Sequence, residues 1–490
     1  MRGGPLPWFI DAMESWATFG GDLHLDLTAG RARGLGLRAA LEEAVREASR
    51  SGRLPAGTRL PSSRALATDL GIARNTVAEA YAQLTAEGWL TARQGSGTVV
   101  ADRGGAPAVA PPSTPPRVPA ARYDLMPGRP DLSLFPRSAW LAAGRRALAT
   151  APHEAFGYTD PRGRIELRRA LADYLARARG VRTDPERILV CAGYQQGLGL
   201  LCRALGERGA RSVAVEEYGL PPQQEVITAT GLRTVSVPLD AGGARTDLLG
   251  GLTAGAGTGA VVLTAAHQYP TGVPLRPARR AAAVAWARES GGFVIEDDYD
   301  GEFRYDRQPV GALQALDPER VVYAGTASKS LAPGLRLGWL ALPAELVEPV
   351  VRQKELADGQ SGVTDQLTLA ELIVSGGFDR HVRRCRLHYR RRRDRLVAAL
   401  AERAPEVEVT GIAAGLHAVL RLPAGSLSDA ELLRHAGWSG LSLNTLSGCR
   451  TPSAGPAPAG TRSGLVIGYA TPPEHTFPGA LDALCTLARL

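Results

Sequence analysis

The sequence predicts an α/β protein of two units: a small helical unit closed by a β-hairpin, then a large domain built on a mostly parallel sheet. Three observations predict this. A proline-rich stretch divides the chain. Helical spacing followed by a Gly-Ser-Gly turn fills the segment before it, and apolar strand-like runs alternate with helical stretches after it.

At 490 residues the chain is long enough for more than one core, and with 44% hydrophobic residues burial outweighs chain entropy. A formal charge of +8 permits a nucleic-acid partner without requiring one. Cys191, Cys202, Cys385, Cys449 and Cys485 are scattered with no paired spacing. That pattern argues against a disulfide framework or a zinc site, so no metal is expected, and it fits a reducing cytoplasm. The opening MRGGPLPWFIDAMESW is broken by Pro5, Pro7, Asp11 and Glu14. It offers no signal-peptide core, and no apolar run approaches the roughly 20 residues of a membrane helix. A cytoplasmic protein with no membrane partner is expected.

The stretch Gly104–Ala121 holds six prolines and one charge. Proline fixes φ and removes a backbone donor, so this segment reads as a semi-rigid tether. At about 3 Å per residue it spans on the order of 50 Å. The expected division is an arm over 1–36, a first domain over 37–101, a linker over 102–122 and a second domain over 123–490.

In the first domain Leu37, Leu41, Ala44, Val45 and Ala48 follow helical spacing to a stop at Gly52. Ser62 or Ser63 caps a second helix, SRALATDL, which buries Leu66 and Leu70 and ends at Gly71. A third helix runs from Arg74 to about Glu87 with Val77, Tyr81 and Leu84 on its core face. GWLTARQGSGTVVA then reads as a hairpin around Gly95–Ser96–Gly97. Two short helices joined by a tight glycine turn place the later helix to enter a major groove, where Arg and Asn can read bases or phosphates. The stretch from Arg53 to Ala101 resembles the winged helix-turn-helix domain of the GntR family. The resemblance implies double-stranded operator DNA as partner, contacted by Arg64 in the second helix, by Arg74, Asn75 and Thr76 at the start of the third, and by Gln94 and Gly95 in the wing.

In the second domain RILVCAG, SVAVEE, AVVLTAA, GFVIEDD and RVVYAGT read as strands. Ligands of open α/β sheets sit at the carboxyl ends of strands, and the chemistry-bearing residues gather there. Asp297 and Tyr299 follow one strand; Thr326, Ser328, Lys329 and Arg336 follow another; Gly193, Tyr194 and Gln195 open a helix after a third. A lysine amine condenses with an aldehyde, which suits Lys329 as the Schiff-base residue of pyridoxal 5′-phosphate (PLP). A buried carboxylate such as Asp297 keeps a ring nitrogen protonated, and a phenol such as Tyr299 donates to a ring oxygen. Hydroxyls, an arginine and a helix start suit a phosphate, which assigns Thr326, Ser328, Arg336 and the Gly193–Gln195 turn.

From about Tyr123 onward the chain resembles a fold-type I aminotransferase, the PLP-dependent transferase fold with a seven-stranded, mostly parallel sheet and a small C-terminal α+β domain. With its GntR-like front the whole chain is similar to the MocR subfamily of regulators. That resemblance implies PLP on Lys329, a head-to-tail homodimer, and PLP or a small amine or amino acid as effector. HQYPTG, His267 to Gly272, matches the subfamily's version of an aminotransferase loop, with Tyr269 where many enzymes carry asparagine. Two departures stand out. An aromatic is frequent at Leu220, so either Leu220 packs on the cofactor ring or Tyr218 is re-aimed onto it. The arginine that binds a substrate carboxylate is replaced by Val466, with Arg462 as a substitute. The favoured reading is a PLP-dependent transcriptional regulator whose second domain acts as sensor and dimerisation unit; the rival is a working aminotransferase with an accessory DNA-binding module.

The run Arg380–Leu396 holds nine arginines. It reads either as a second DNA-contacting surface or as a solvated helix face paired with acids, and the second reading is favoured.

Overall fold

The computed structural model describes residues 25, 27, 33–93, 97–102, 121–305, 310–456 and 464–490. Most of the linker, and Gln94, Gly95 and Arg462, lie outside them. The chain divides into two units, Met1–Val118 and Pro119–Leu490.

The first unit contains α1 (Leu37–Arg50), α2 (Ser63–Leu70), α3 (Arg74–Ala86), β1 (Leu90–Arg93) and β2 (Gly97–Val100). Ser62 is the residue that caps α2, its side chain accepting from the Ala65 N–H, and Gly71 ends the helix at φ 64°. Leu41, Val45, Leu66, Val77, Tyr81 and Leu84 meet Leu90 and Val100 of the antiparallel hairpin in one core. Leu37 falls outside that core at 38% exposed, and Glu42 is buried instead. Arg46 bonds the Glu42 carboxylate there at 3.3 Å while also holding Glu87 at 2.8 Å.

The second unit is organised by seven strands: β3 (Ile188–Cys191), β4 (Ser212–Glu216), β5 (Arg233–Val237), β6 (Thr258–Leu263), β7 (Phe293–Asp297), β8 (Val321–Thr326) and β9 (Gly338–Ala341). Their order is β3-β9-β8-β7-β6-β4-β5, and only β9 runs antiparallel to its neighbours. The five apolar runs of the sequence are β3, β4, β6, β7 and β8. They are apolar throughout because both faces are covered. Phe293 and Ile295 point into the cluster beneath α4 (Tyr194–Glu207), and Val294 points into the one beneath α5 (Pro277–Ser290). A separate four-stranded antiparallel sheet, β10 (Glu408–Thr410), β11 (Ala418–Arg421), β12 (Asn444–Thr445) and β13 (Gly464–Ile467), forms the C-terminal layer. Among the described residues no helix is long and apolar enough to cross a membrane.

The arginine run lies on the helix Gly377–Arg403. Arg392 is only 1% exposed, bonding Asp131 at 3.0 Å, Glu474 at 3.2 Å and the Ala470 carbonyl at 2.9 Å. Arg384 and Arg386 bond backbone carbonyls, and Arg395 pairs with Glu474. Much of the run therefore fastens this helix to its own domain, and Arg383, Arg390 and Arg391 are exposed.

Candidate functional site

Sheet register brings the site together. Gly338, the first residue of the reversed strand β9, pairs with Thr326 on one side and Cys191 on the other. The segments that follow Thr326, precede Gly338 and follow Cys191 therefore share one rim, which is where Ser328, Lys329, Arg336 and Gly193 stand. Asp297 pairs with Ala324 on the next strand over.

The turn at Gly193 has φ 84° and leads into α4, so free N–H groups of a helix start face the rim. The Arg336 guanidinium lies against it: a Cβ on Gly193 would sit 3.2 Å from both Nη atoms. Arg336 itself takes a left-handed backbone at φ 52° and donates from Nη2 to the Ala192 carbonyl at 2.5 Å. Thr326 Oγ1 donates to the Leu337 carbonyl at 3.2 Å and accepts from the Ser328 N–H at 3.1 Å. Two hydroxyls, one guanidinium and a helix start thus form an anion cup. Tyr194 begins the helix, its hydroxyl accepting from Gln223 at 2.6 Å and adjoining Asp297. The Gln195 side chain is exposed.

Lys329 Nζ donates to the Gly128 carbonyl at 2.6 Å. Burial pushes its pKa below the usual lysine value, against the opposing pull of Asp297 and Asp300. Asp297 is 3% exposed, and burial pushes its carboxyl up to about 8, with Lys329 opposing. An amine held towards its neutral form and a buried carboxyl short of positive partners fit an aldehyde cofactor with a basic ring nitrogen.

Tyr299 is buried and donates to the His267 carbonyl at 3.0 Å. Behind it are His267 of the HQYPTG loop and two groups that sequence reasoning did not single out, Asp300 and His417. Asp300 Oδ2 meets His267 Nδ1 at 2.8 Å, and His417 Nε2 bonds the Pro270 carbonyl at 3.0 Å. His267, Asp300 and His417 present ligand-type atoms within 4.8 Å of one another, the one such group among the described residues. His267 and Asp300 are nevertheless hydrogen-bonded to each other. Burial holds His417 down to about 3, so it is neutral. Glu216, pushed up to about 7 by burial, accepts from the Thr264 N–H at 3.1 Å and Gln268 at 3.3 Å and so anchors the HQYPTG loop. Next to Asp297, Asp298 is held by Arg179 at 2.7 and 3.0 Å and by the Tyr323 hydroxyl at 2.8 Å.

The wall facing this group is apolar. Val466 is fully buried with Tyr269, Tyr299, Val419, Leu446 and Cys449, and Tyr218 and Leu220 pack against the same cluster. The Tyr218 ring lies under the Arg450 guanidinium, 5.4 Å from its centroid. Every donor-bearing nitrogen of Arg450 is engaged: Nη1 with Glu217 and Tyr218, Nε and Nη2 with carbonyls of residues 454–456. Arg450 is thus committed to its own loop.

In the first unit Arg64, Arg74 and Asn75 are exposed and Thr76 is half-buried at the start of α3. Neither Arg64 nor Arg74 makes an ion pair among the described residues, which leaves both cations to solvent. Arg59, unremarked in the sequence, is exposed beside the wing, its Nε 3.2 Å from where a Cβ of Gly97 would stand.

The chain matches the family model for bacterial regulatory proteins of the gntR family over residues 37–100 and that for aminotransferase class I and II over residues 129–437. It is 35% identical to the HTH-type pyridoxine biosynthesis transcriptional regulator PdxR of Corynebacterium glutamicum, over 78% of this chain and 82% of that one. It is 31% identical to the probable rhizopine catabolism regulatory protein MocR of Rhizobium meliloti, over 91% of this chain and 92% of that one. Among solved structures an archaeal alanine:glyoxylate aminotransferase superposes with TM-score 0.66 at 26% identity, covering 75% of this chain and 90% of that one. The α-aminoadipate aminotransferase LysN of Thermus thermophilus, solved with N-(5′-phosphopyridoxyl)-L-leucine, superposes with TM-score 0.65 at 25% identity over 75% and 92%. With a winged helix at one end and an aminotransferase domain filling most of the rest, the chain belongs to the MocR subfamily of GntR-family proteins, the PLP-dependent HTH-type transcriptional regulators.

Proposed function

We propose that Lys329 holds PLP and that occupancy of this site biases how a pair of winged-helix domains engages an operator. The observation that carries the reading is the buried juxtaposition of Lys329 and Asp297 beside the Arg336–Gly193 cup. When bound, PLP supplies an aldehyde that condenses with an amine and a ring that withdraws electrons. Lys329, kept from full protonation by burial, offers the nucleophilic amine. Asp297 would pair with the protonated ring nitrogen, whose charge would relieve the cost of its burial. Tyr299 would offer its hydroxyl to the ring oxygen, while Thr326, Ser328, Arg336 and the N–H groups of Gly193, Tyr194 and Gln195 would hold the phosphate. Because Tyr218 is committed to Arg450, Leu220 would be the side chain to pack on the ring.

DNA is read by Arg64, Arg74, Asn75 and Thr76 together with Gln94 and Gly95 of the wing. Exposed Leu141, Leu148, Phe156 and Tyr158 support a head-to-tail homodimer through the large domain. An effector shifts the regulator only by binding one arrangement of the pair better than the other. The apolar surroundings of Val466 favour PLP or a small amine over a carboxylate-bearing effector, in line with the pyridoxine role in the name of PdxR. The deciding experiment is a DNA-binding titration with and without PLP, on wild type and Lys329→Ala. A PLP-dependent change in operator affinity is expected in wild type and not in the variant; identical curves for both proteins count against the reading.

The retained Lys329 and Asp297 also favour a second reading, a working aminotransferase with an accessory DNA-binding module. Half-transamination assays on a panel of amino donors separate the two, and turnover at about 1 per second or faster would promote the enzyme.

A further inference from the structure

Beneath the anion cup lies a lysine with no exposed surface. Lys354, on the helix Ala344–Asp358, is 0% exposed, which is rare for this residue type without a charged partner. Its Nζ donates to the two oxygens of Asp358 at 2.5 and 2.6 Å and to Ser361 Oγ at 2.9 Å. Asp358 also accepts from Gln196 Nε2 at 2.7 Å. The other end of that amide, Oε1, accepts from the Ala192 N–H at 2.6 Å. The Ala192 carbonyl in turn accepts from Arg336 at 2.5 Å. The residue that precedes Gly193 is therefore held at its N–H by Gln196 and at its carbonyl by Arg336. A carboxylate accepts only from Nε2 and a backbone N–H bonds only to Oε1, so Asp358 and the Ala192 N–H together fix the orientation of the Gln196 amide, and Asp358 anchors its far end.

We propose that Lys354 and Asp358 are positioning residues for phosphate binding, a charged pair that sets the Ala192–Gly193 turn through Gln196 without touching the ligand. The inference rests on the PLP reading above. Sealing the Lys354 ammonium away from water carries a desolvation cost that its pairing with the partly exposed Asp358 offsets. A carboxylate fixed in one place does what an apolar pair cannot: it gives Gln196 one orientation, and the turn one conformation. Ser361 Oγ accepts from the same lysine, so the ammonium that holds the carboxylate is itself held at a third point.

Lys354→Met and Asp358→Asn are titrated with PLP and with pyridoxal, which has the same aldehyde and ring but no phosphate. Ligand-free protein is also melted with and without inorganic phosphate. Each variant is expected to bind PLP about tenfold more weakly or worse, and to show a smaller thermal shift with phosphate, while pyridoxal affinity stays within about twofold of wild type. Asp358→Glu should restore part of the PLP affinity. Equal losses for PLP and pyridoxal, or no loss for either, overturn the proposal. Asp358 lies partly exposed at a helix end, so its variants remain usable if Lys354→Met does not fold. Failure of both aldehydes to bind Lys329 in wild type would instead sink the PLP reading, and the phosphate melts would still report on the pair.

Discussion

A Cβ on Gly338 would stand 2.9 Å from the Cα of Gly193. The first residue of the reversed strand thus lies against the turn of the anion cup, and this close approach lets Arg336 reach the Ala192 carbonyl.

Gly338→Ala should force the two backbones apart. Overpacking of this kind costs about 1–3 kcal/mol, so a lower melting temperature is expected together with weaker PLP binding. Thermal denaturation and an absorbance titration check both. Unaltered PLP affinity would mean that the cup does not depend on this contact.

Asp297 makes the ligand-free fold pH-sensitive. Burial raises its carboxyl from 3.8 to about 8. Between those values the folded chain keeps a proton that the unfolded chain has lost, so the stabilisation is complete at acid pH and disappears as pH rises through about 8. Asp297→Asn removes the dependence. Its melting temperature relative to ligand-free wild type should climb between about pH 5 and about pH 8.5, a gain of at least about 1 kcal/mol. A constant difference across that range would show the carboxyl to be ionised throughout.

Arg179 is the sole cation bonded to the buried carboxylate of Asp298 among the described residues. It also donates to the Gly301 and Val310 carbonyls at 3.2 Å each. Arg179→Ala leaves that charge uncompensated, for which a loss of about 3–5 kcal/mol is expected in urea denaturation. A loss below about 1 kcal/mol would mean that water or neighbouring donors replace Arg179 at little cost.

For DNA, Arg64→Ala and Arg74→Ala should weaken operator binding and flatten its salt dependence by roughly one unit of slope for each phosphate contact removed. Mobility-shift titrations over a range of salt measure this directly. Wild-type affinity in both variants would remove them from the interface.

Much of this arrangement is legible in the chain itself. Runs such as GFVIEDD and RVVYAGT pass abruptly from apolar to polar, and that change marks the strand ends where Asp297 and Lys329 stand. Two strands escape such reading for local reasons. β5 lies at the sheet edge with only Val237 fully buried, and β9 is four residues long, directly behind the Arg336 turn. Lys354 and Asp358 look like any exposed i,i+4 pair on a helix, and only the packing shows that the lysine is sealed in. Arg392 is hidden in the same way among exposed arginines. His417 reaches His267 and Tyr269 from the edge of the C-terminal sheet, and nothing near it in the sequence ties it to them.

The reversed direction of β9 has a mechanical corollary. The chain leaves the rim after Thr326 and re-enters it at Gly338, so the amine of Lys329 and the guanidinium of Arg336 ride on one short loop. On the proposed reading this one loop would hold the aldehyde and help hold the phosphate of PLP, so a displacement of the loop would disturb both contacts together.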